Sequence, residues 1–111
     1  MDSTSKQPVS TLSYDNWRKW FQLVELYFIG QEMDFVLHQT EAEYCMVQSG
    51  PGVGSKRERL NIEKQRLYRR ASARVLYTIS VCIDPLDADL IRKFDMVKEK
   101  WYWLYTKYNT V

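Results

Sequence analysis

The sequence predicts an all-α fold: a single small orthogonal bundle of about four to five helices, with a glycine-rich loop before a long central helix. Three observations carry this. Residues 55–83, SKRERLNIEKQRLYRRASARVLYTISVCI, keep apolar residues at helical spacing throughout. Segments near both ends of the chain repeat that spacing with tryptophans on the stripe, and Gly/Pro clusters fall between the periodic stretches.

The long helix has marked ends. Ser55 followed by Glu58 is a capping-box pattern, in which the hydroxyl and the carboxylate each satisfy a free amide of the first turn. Leu60, Leu67, Ala71, Val75, Ile79 and Cys82 then form a stripe that should face the core. Beyond Arg74 no charge occurs before Asp84, so this half reads as buried nearly all round. Asp84-Pro85 stops the helix, because proline disfavours helical backbone in the residue before it.

In the first helical segment, residues 12–30, Trp17, Trp20, Phe21, Val24 and Phe28 share a face, with Ser13 or Asn16 as cap and Gly30 as stop. Leu23, Leu26, Tyr27 and Ile29 widen its apolar arc and predict contact on more than one side. A short helix over residues 32–39 turns Met33, Val36 and Leu37 inward. From 40 to 54 the periodicity dissolves into a loop ending in QSGPGVG. After the long helix, a brief helix should bury Leu86, Leu90, Ile91 and Phe94. A last helix, capped by Asp95, carries Val97, Trp101, Leu104 and Tyr108 on its stripe and Trp103 and Tyr105 off it. Residues 1–11 read as a flexible tail and 12–111 as one helical domain; 111 residues bury roughly 65% of the extended-chain surface, enough for a modest core without metal or disulfide.

The same residues exclude several functions. No G-K-[ST] follows the glycine-rich run, so it is no phosphate cradle. His38 is the only histidine and has no partner at ligand spacing, Cys45 and Cys82 read as free thiols, and Asp84, Asp87, Asp89 and Asp95 read as caps and turn formers. The expectation is therefore a non-enzyme with no catalytic, metal or cofactor residue and no small-molecule substrate. No apolar stretch is long enough for a membrane span, which points to a soluble chain with reduced thiols in the cytoplasm.

Charge is uneven. No Lys or Arg lies between Lys19 and Lys56, where Glu25, Glu32, Asp34, Glu41 and Glu43 stand, whereas 56–74 holds eight basic residues against two acidic, a net of +6. Arg66, Arg69, Arg70 and Arg74, with Tyr68 and Tyr77 near them, are candidate nucleic-acid contacts. Pairing with the acidic 25–43 segment of the same molecule is the slightly favoured alternative. Tyr102, Trp103 and Tyr105 are candidates for a partner surface.

Three patterns occur in order: Leu12, Asn16-Trp17 and Trp20 leading to Phe28; Ala71/Ala73 with Ile79; and Val97-Lys98-Glu99 with Trp101, Leu104 and Tyr108. Together they resemble the N-terminal capsid region of Gag polyproteins from copia-type LTR retrotransposons, over residues 12–108. The family's opening glycine is missing, Trp17 replaces its usual Tyr, and neither a second helical lobe nor a zinc knuckle follows. The resemblance implies a capsid N-terminal-lobe-like fold with Leu12, Asn16, Trp20, Phe28, Trp101, Leu104 and Tyr108 as the motif core. It also implies a structural role in particle assembly, with other Gag copies and element RNA as partners. A single lobe that joins longer Gag chains and poisons their assembly is a further alternative.

Overall fold

The computed structural model describes residues 8–46 and 54–110, with side chains for 8–45 and 62–110. Among the described residues six α-helices follow one another: α1 (Trp17–Gly30), α2 (Phe35–His38), α3 (Glu41–Met46), α4 (Gly54–Val81), α5 (Pro85–Leu90) and α6 (Val97–Asn109), with a 3₁₀ turn at Ile91–Lys93. No strand occurs among the described residues, and the all-α class holds. The core gathers Trp20, Phe21, Val24 and Phe28 from α1, Val36 and Leu37 from α2, Val75, Ile79 and Cys82 from α4 and its end, and Val97, Trp101, Leu104 and Tyr108 from α6.

The two ends of the chain meet as their tryptophans predict. Trp20 and Trp101 lie 6.0 Å apart between ring centroids, and Phe21 meets Trp101 edge-on at 4.9 Å. Leu12, buried, donates its amide to the Cys82 carbonyl at 2.9 Å and ties the approach to α1 onto the end of α4. Val9 packs on the core as well, so the described end of the N-terminal segment is docked; residues 1–7 of the expected tail lie outside the described residues.

Several local expectations are corrected. The 40–54 segment is not all loop, because Thr40 and Glu43 form a reciprocal capping box that starts α3. The Thr40 hydroxyl accepts from the Glu43 amide at 3.1 Å, and the Glu43 carboxylate accepts from the Thr40 amide at 2.8 Å. The glycine-rich run at 50–53, the Ser55–Glu58 box and Leu60 lie outside the described residues or side chains. On α4 the inward stripe passes through Tyr68 and not Leu67, which is exposed. Tyr68 wins the position because its ring joins Phe35 and Tyr44, and its hydroxyl donates to the Gln39 carbonyl at 2.6 Å. The apolar end of α4 is buried on one side only: Tyr77 and Val81 face out.

Asn16 sits at the N-cap of α1, but its side chain turns back, donating to the Thr11 carbonyl and accepting from the Ser13 amide. Gly30 does not stop α1 through its own flexibility. The left-handed residue is Glu32, at φ 59°. Its amide donates to the Ile29 carbonyl at 3.0 Å and that of Met33 to the Phe28 carbonyl at 2.9 Å, the two bonds of a Schellman end. A side chain is strained there, so Glu32→Gly should raise the unfolding free energy by about 0.5–1 kcal/mol in urea titrations.

Asp84 caps α5, accepting from the Leu86 amide, with Pro85 in the first turn. Here the expected inward face is wrong: Leu86 and Leu90 are exposed and Asp87 is buried, with Ile91 inward and Phe94 half-buried. The turn is held by Lys100, whose buried ammonium donates to the Ile91 carbonyl at 2.9 Å and to the Phe94 carbonyl, acceptors left over at the end of a helical turn. Met96, not Asp95, occupies the N-cap of α6.

Candidate assembly surfaces

The buried stripe of α1 leaves an apolar opposite face. Leu23, Leu26 and Ile29 are 43%, 62% and 48% exposed, so the predicted second contact of α1 is not made among the described residues. Gln22 and Gly30 lie on the same side, and a Cβ placed on Gly30 would meet nothing within 4 Å. Arg18 and Lys19 stand exposed at the start of this face, Arg18 with its guanidinium over Trp17 at 5.1 Å, and Glu32 and Asp34 stand just past its end. Along one flank Glu25 meets His38 Nε2 at 2.7 Å, which gives the single histidine a surface pairing role. On the other flank Tyr27 and Tyr77 line a cleft of about 350 Å³ with Gln31, Met33, Arg74 and Thr78.

The four candidate arginines of α4, Arg66, Arg69, Arg70 and Arg74, separate into two kinds. Arg69 is committed: its Nη2 and Nε donate to Glu41 at 3.0 and 3.2 Å, and Gln65 adds a bond to the same carboxylate. The alternative of pairing with the acidic segment therefore holds for Arg69. Arg66, Arg70 and Arg74 are exposed and have no acidic partner among the described residues, and their four-residue spacing sets them in one row about 6 Å apart along the axis.

The aromatic trio of α6 is also divided. Tyr102 is open to solvent; Tyr105 leans edge-on against Trp17 at 5.9 Å and Phe21 at 5.3 Å; Trp103 is half-buried on the core, with Lys107 near its face. Of the motif residues, Leu12, Trp20, Phe28, Trp101, Leu104 and Tyr108 are buried together and Asn16 is half-buried at its cap.

A polar cluster that sequence reasoning missed joins α5 to α6. Asp87 accepts from the Tyr108 hydroxyl at 2.5 Å and from the Lys107 ammonium. Burial first, and then the hydrogen bond to Asp87, hold the Tyr108 phenol far above its ordinary range. Burial likewise pushes up Tyr68 and the two free thiols, Cys45 and Cys82, and pulls the Lys100 ammonium down. The sign for stability follows. Above pH about 10 an unfolded chain releases the tyrosine proton while the folded one retains it, so stability is full below that pH and falls as pH rises through the window. Tyr68 and the thiols share this sign and Lys100 opposes it. Urea midpoints should fall above pH about 9 to 10, and Tyr108→Phe should flatten the slope.

Among the described residues no group of three His, Cys, Asp or Glu side chains is placed to hold a metal ion, and no helix is long and apolar enough to cross a membrane. A second cleft, of about 340 Å³, runs between α4 and the start of α6 past Glu41, Arg69, Leu76 and Lys100. Its strongest polar groups are taken, Arg69 by Glu41 and Lys100 by two carbonyls. The fold and these faces together define a small all-α unit with an exposed apolar strip on α1 and an exposed basic row on α4. Comparison with known protein families, with curated proteins and with solved structures found no match.

Proposed function

We propose that this chain is a non-enzymatic structural unit of the Gag capsid kind, acting in the cytoplasm by associating with copies of itself to build retrotransposon particles. One observation carries the reading: the outer face of α1 presents Leu23, Leu26 and Ile29 to solvent on a helix whose other side is anchored by Trp20 and Phe21. Isolated exposed apolar residues are ordinary, but a contiguous apolar strip rimmed by charge is what a protein contact uses. The resemblance supplies the kind of assembly; the strip supplies a surface for it. Sedimentation of the whole chain over a wide range of concentration and salt tests the reading. The expected result is a mass that grows with concentration, and a strict monomer throughout overturns it.

The row Arg66, Arg70 and Arg74 favours RNA binding as a second reading, since these three cations have no acidic partner among the described residues and Arg74 shares a cleft with Tyr27 and Tyr77. Salt-titrated RNA binding should weaken for Arg70→Ala and Arg74→Ala, with the salt slope reduced by about one for each, and less for Arg69→Ala. RNA binding absent even at low salt removes this reading. Poisoning of longer Gag chains by a single lobe would use the same α1 face, and unchanged particle yield on co-expression with an intact Gag argues against it.

A further inference from the structure

We infer that the exposed face of α1 is a two-fold contact between copies of this chain, in which α1 packs antiparallel on the partner's α1 with Leu26 at the axis. The inference rests on the self-association reading and names its surface and its geometry.

The first argument is charge. A helix is electropositive at its N-terminus and electronegative at its C-terminus, so acidic groups belong at its start and basic groups at its end. In α1 neither holds: its first turn has no acidic residue and its last no basic one. Arg18 and Lys19 stand at the positive end instead, and Glu32 and Asp34 follow the negative end. Asp15, just ahead of the cap, offsets part of the first charge, but the turns of α1 themselves carry base at the positive end and no base at the negative one, with acid following it. Laying a second copy antiparallel reverses this, because each basic end comes beside the partner's acidic end and the two helix dipoles oppose each other. An isologous contact makes that pairing twice.

The second argument is register. With Leu26 facing the partner's Leu26, Leu23 faces the partner's Ile29, and Gln22 faces the partner's Gly30. Arg18 and Lys19 then come to the end of the partner's α1, just past which Glu32 and Asp34 stand. The apolar residues fall in the centre and the charges at the rim, the usual arrangement of a contact. Gly30 is exposed and the space where a Cβ would stand is open, so two backbones can approach closely where Gln22 crosses. Nucleic acid fits the length of this face poorly because Glu32 and Asp34 would repel phosphates at its far end.

A helix of 14 residues is about 21 Å long, so the contact is at the small end of specific interfaces and the dimer is weak. Sedimentation equilibrium of the whole chain at low salt is the measurement. Leu26→Asp, at an exposed position, should leave the helical spectrum unchanged and abolish the dimer. Lys19→Glu and Glu32→Lys should each weaken it by about fivefold or more, and the two together should bind more tightly than either single variant, since exchanging the signs restores the attraction between positions 19 and 32. Leu26→Cys should give a disulfide-linked dimer on mild oxidation, as a residue on the axis meets itself. A dimer that survives Leu26→Asp, with no cross-link at position 26, overturns this contact while the self-association reading stands. A double charge variant no tighter than the single ones overturns the antiparallel register. A wild-type chain that stays monomeric overturns the contact and the reading together.

Discussion

Asp87→Ala is expected to lower the unfolding free energy by about 3 kcal/mol, a large share of the 5–15 kcal/mol typical of a domain. Asp87 is 1% exposed and serves two donors on α6, the Tyr108 hydroxyl and the Lys107 ammonium. Their consequences differ once the carboxylate is gone. The Lys107 side chain is about a third exposed and can turn its ammonium to water, whereas Tyr108 is buried and its hydroxyl is stranded. Most of the loss therefore arises from Tyr108 and from the space left between α5 and α6. Asp87→Asn keeps the shape and an acceptor, and should lose about half as much. Urea unfolding of Asp87→Ala, Tyr108→Phe and the double variant gives the coupling directly; removing Tyr108's hydroxyl first should make the loss of Asp87 clearly milder. A loss below about 1 kcal/mol for Asp87→Ala would show that the cluster is no more than a surface pair.

The same cluster shows where the sequence was legible and where it was not. Helix existence followed from spacing: Trp20, Val24 and Phe28, then Ala71, Val75 and Ile79, then Trp101, Leu104 and Tyr108 are all buried. Two charged residues at inward positions went unread: Asp87, which turned the expected face of α5 the wrong way, and Lys100, which joins the correctly read stripe of α6. Ile83, Asp87, Ile91 and Phe94 step by four, four and three, and Lys100 lies three after Val97 and four before Leu104, so both charges were on the stripe in plain view. Reading charge as outward sent Leu86 and Leu90 inward in error, because what a buried Asp or Lys requires is a partner on another element, which one segment's periodicity does not reveal. The expectation that Leu23, Leu26 and Ile29 give α1 a second contact is not met among the described residues, since apolar residues are permitted outside. Thr40 and Glu43 carried a capping box as clear as that of Ser55 and Glu58, and went unused because no long periodic run follows it. Of the candidate surfaces, the segregation of acidic 25–43 from basic 56–74 did indicate the Glu41–Arg69 pair, while the division among the arginines depends on where α3 packs.

Trp101→Ala should cost about 3–5 kcal/mol, and for a chain of this length that lowers the melting temperature by well over 10 °C. The indole of Trp101 joins α6 to α1 through Trp20 and Phe21, and Phe21 in turn meets Tyr105, so removing it opens a cavity bounded by rings that cannot collapse independently. Trp20 offers an internal control. Its Nε1 is buried with no hydrogen-bond partner, so Trp20→Phe removes an unsatisfied donor along with the lost volume and should be much milder than its burial suggests, about 1 kcal/mol. Trp20→Ala and Trp101→Ala combined should fall short of additivity by at least about 0.5 kcal/mol, because each indole already forfeits part of its packing when the other is gone. Full additivity would mean that the two rings do not share a seam. That outcome would also loosen the orientation of α1, since it is this seam that holds one face of the helix inward and turns Leu23, Leu26 and Ile29 out to meet another copy.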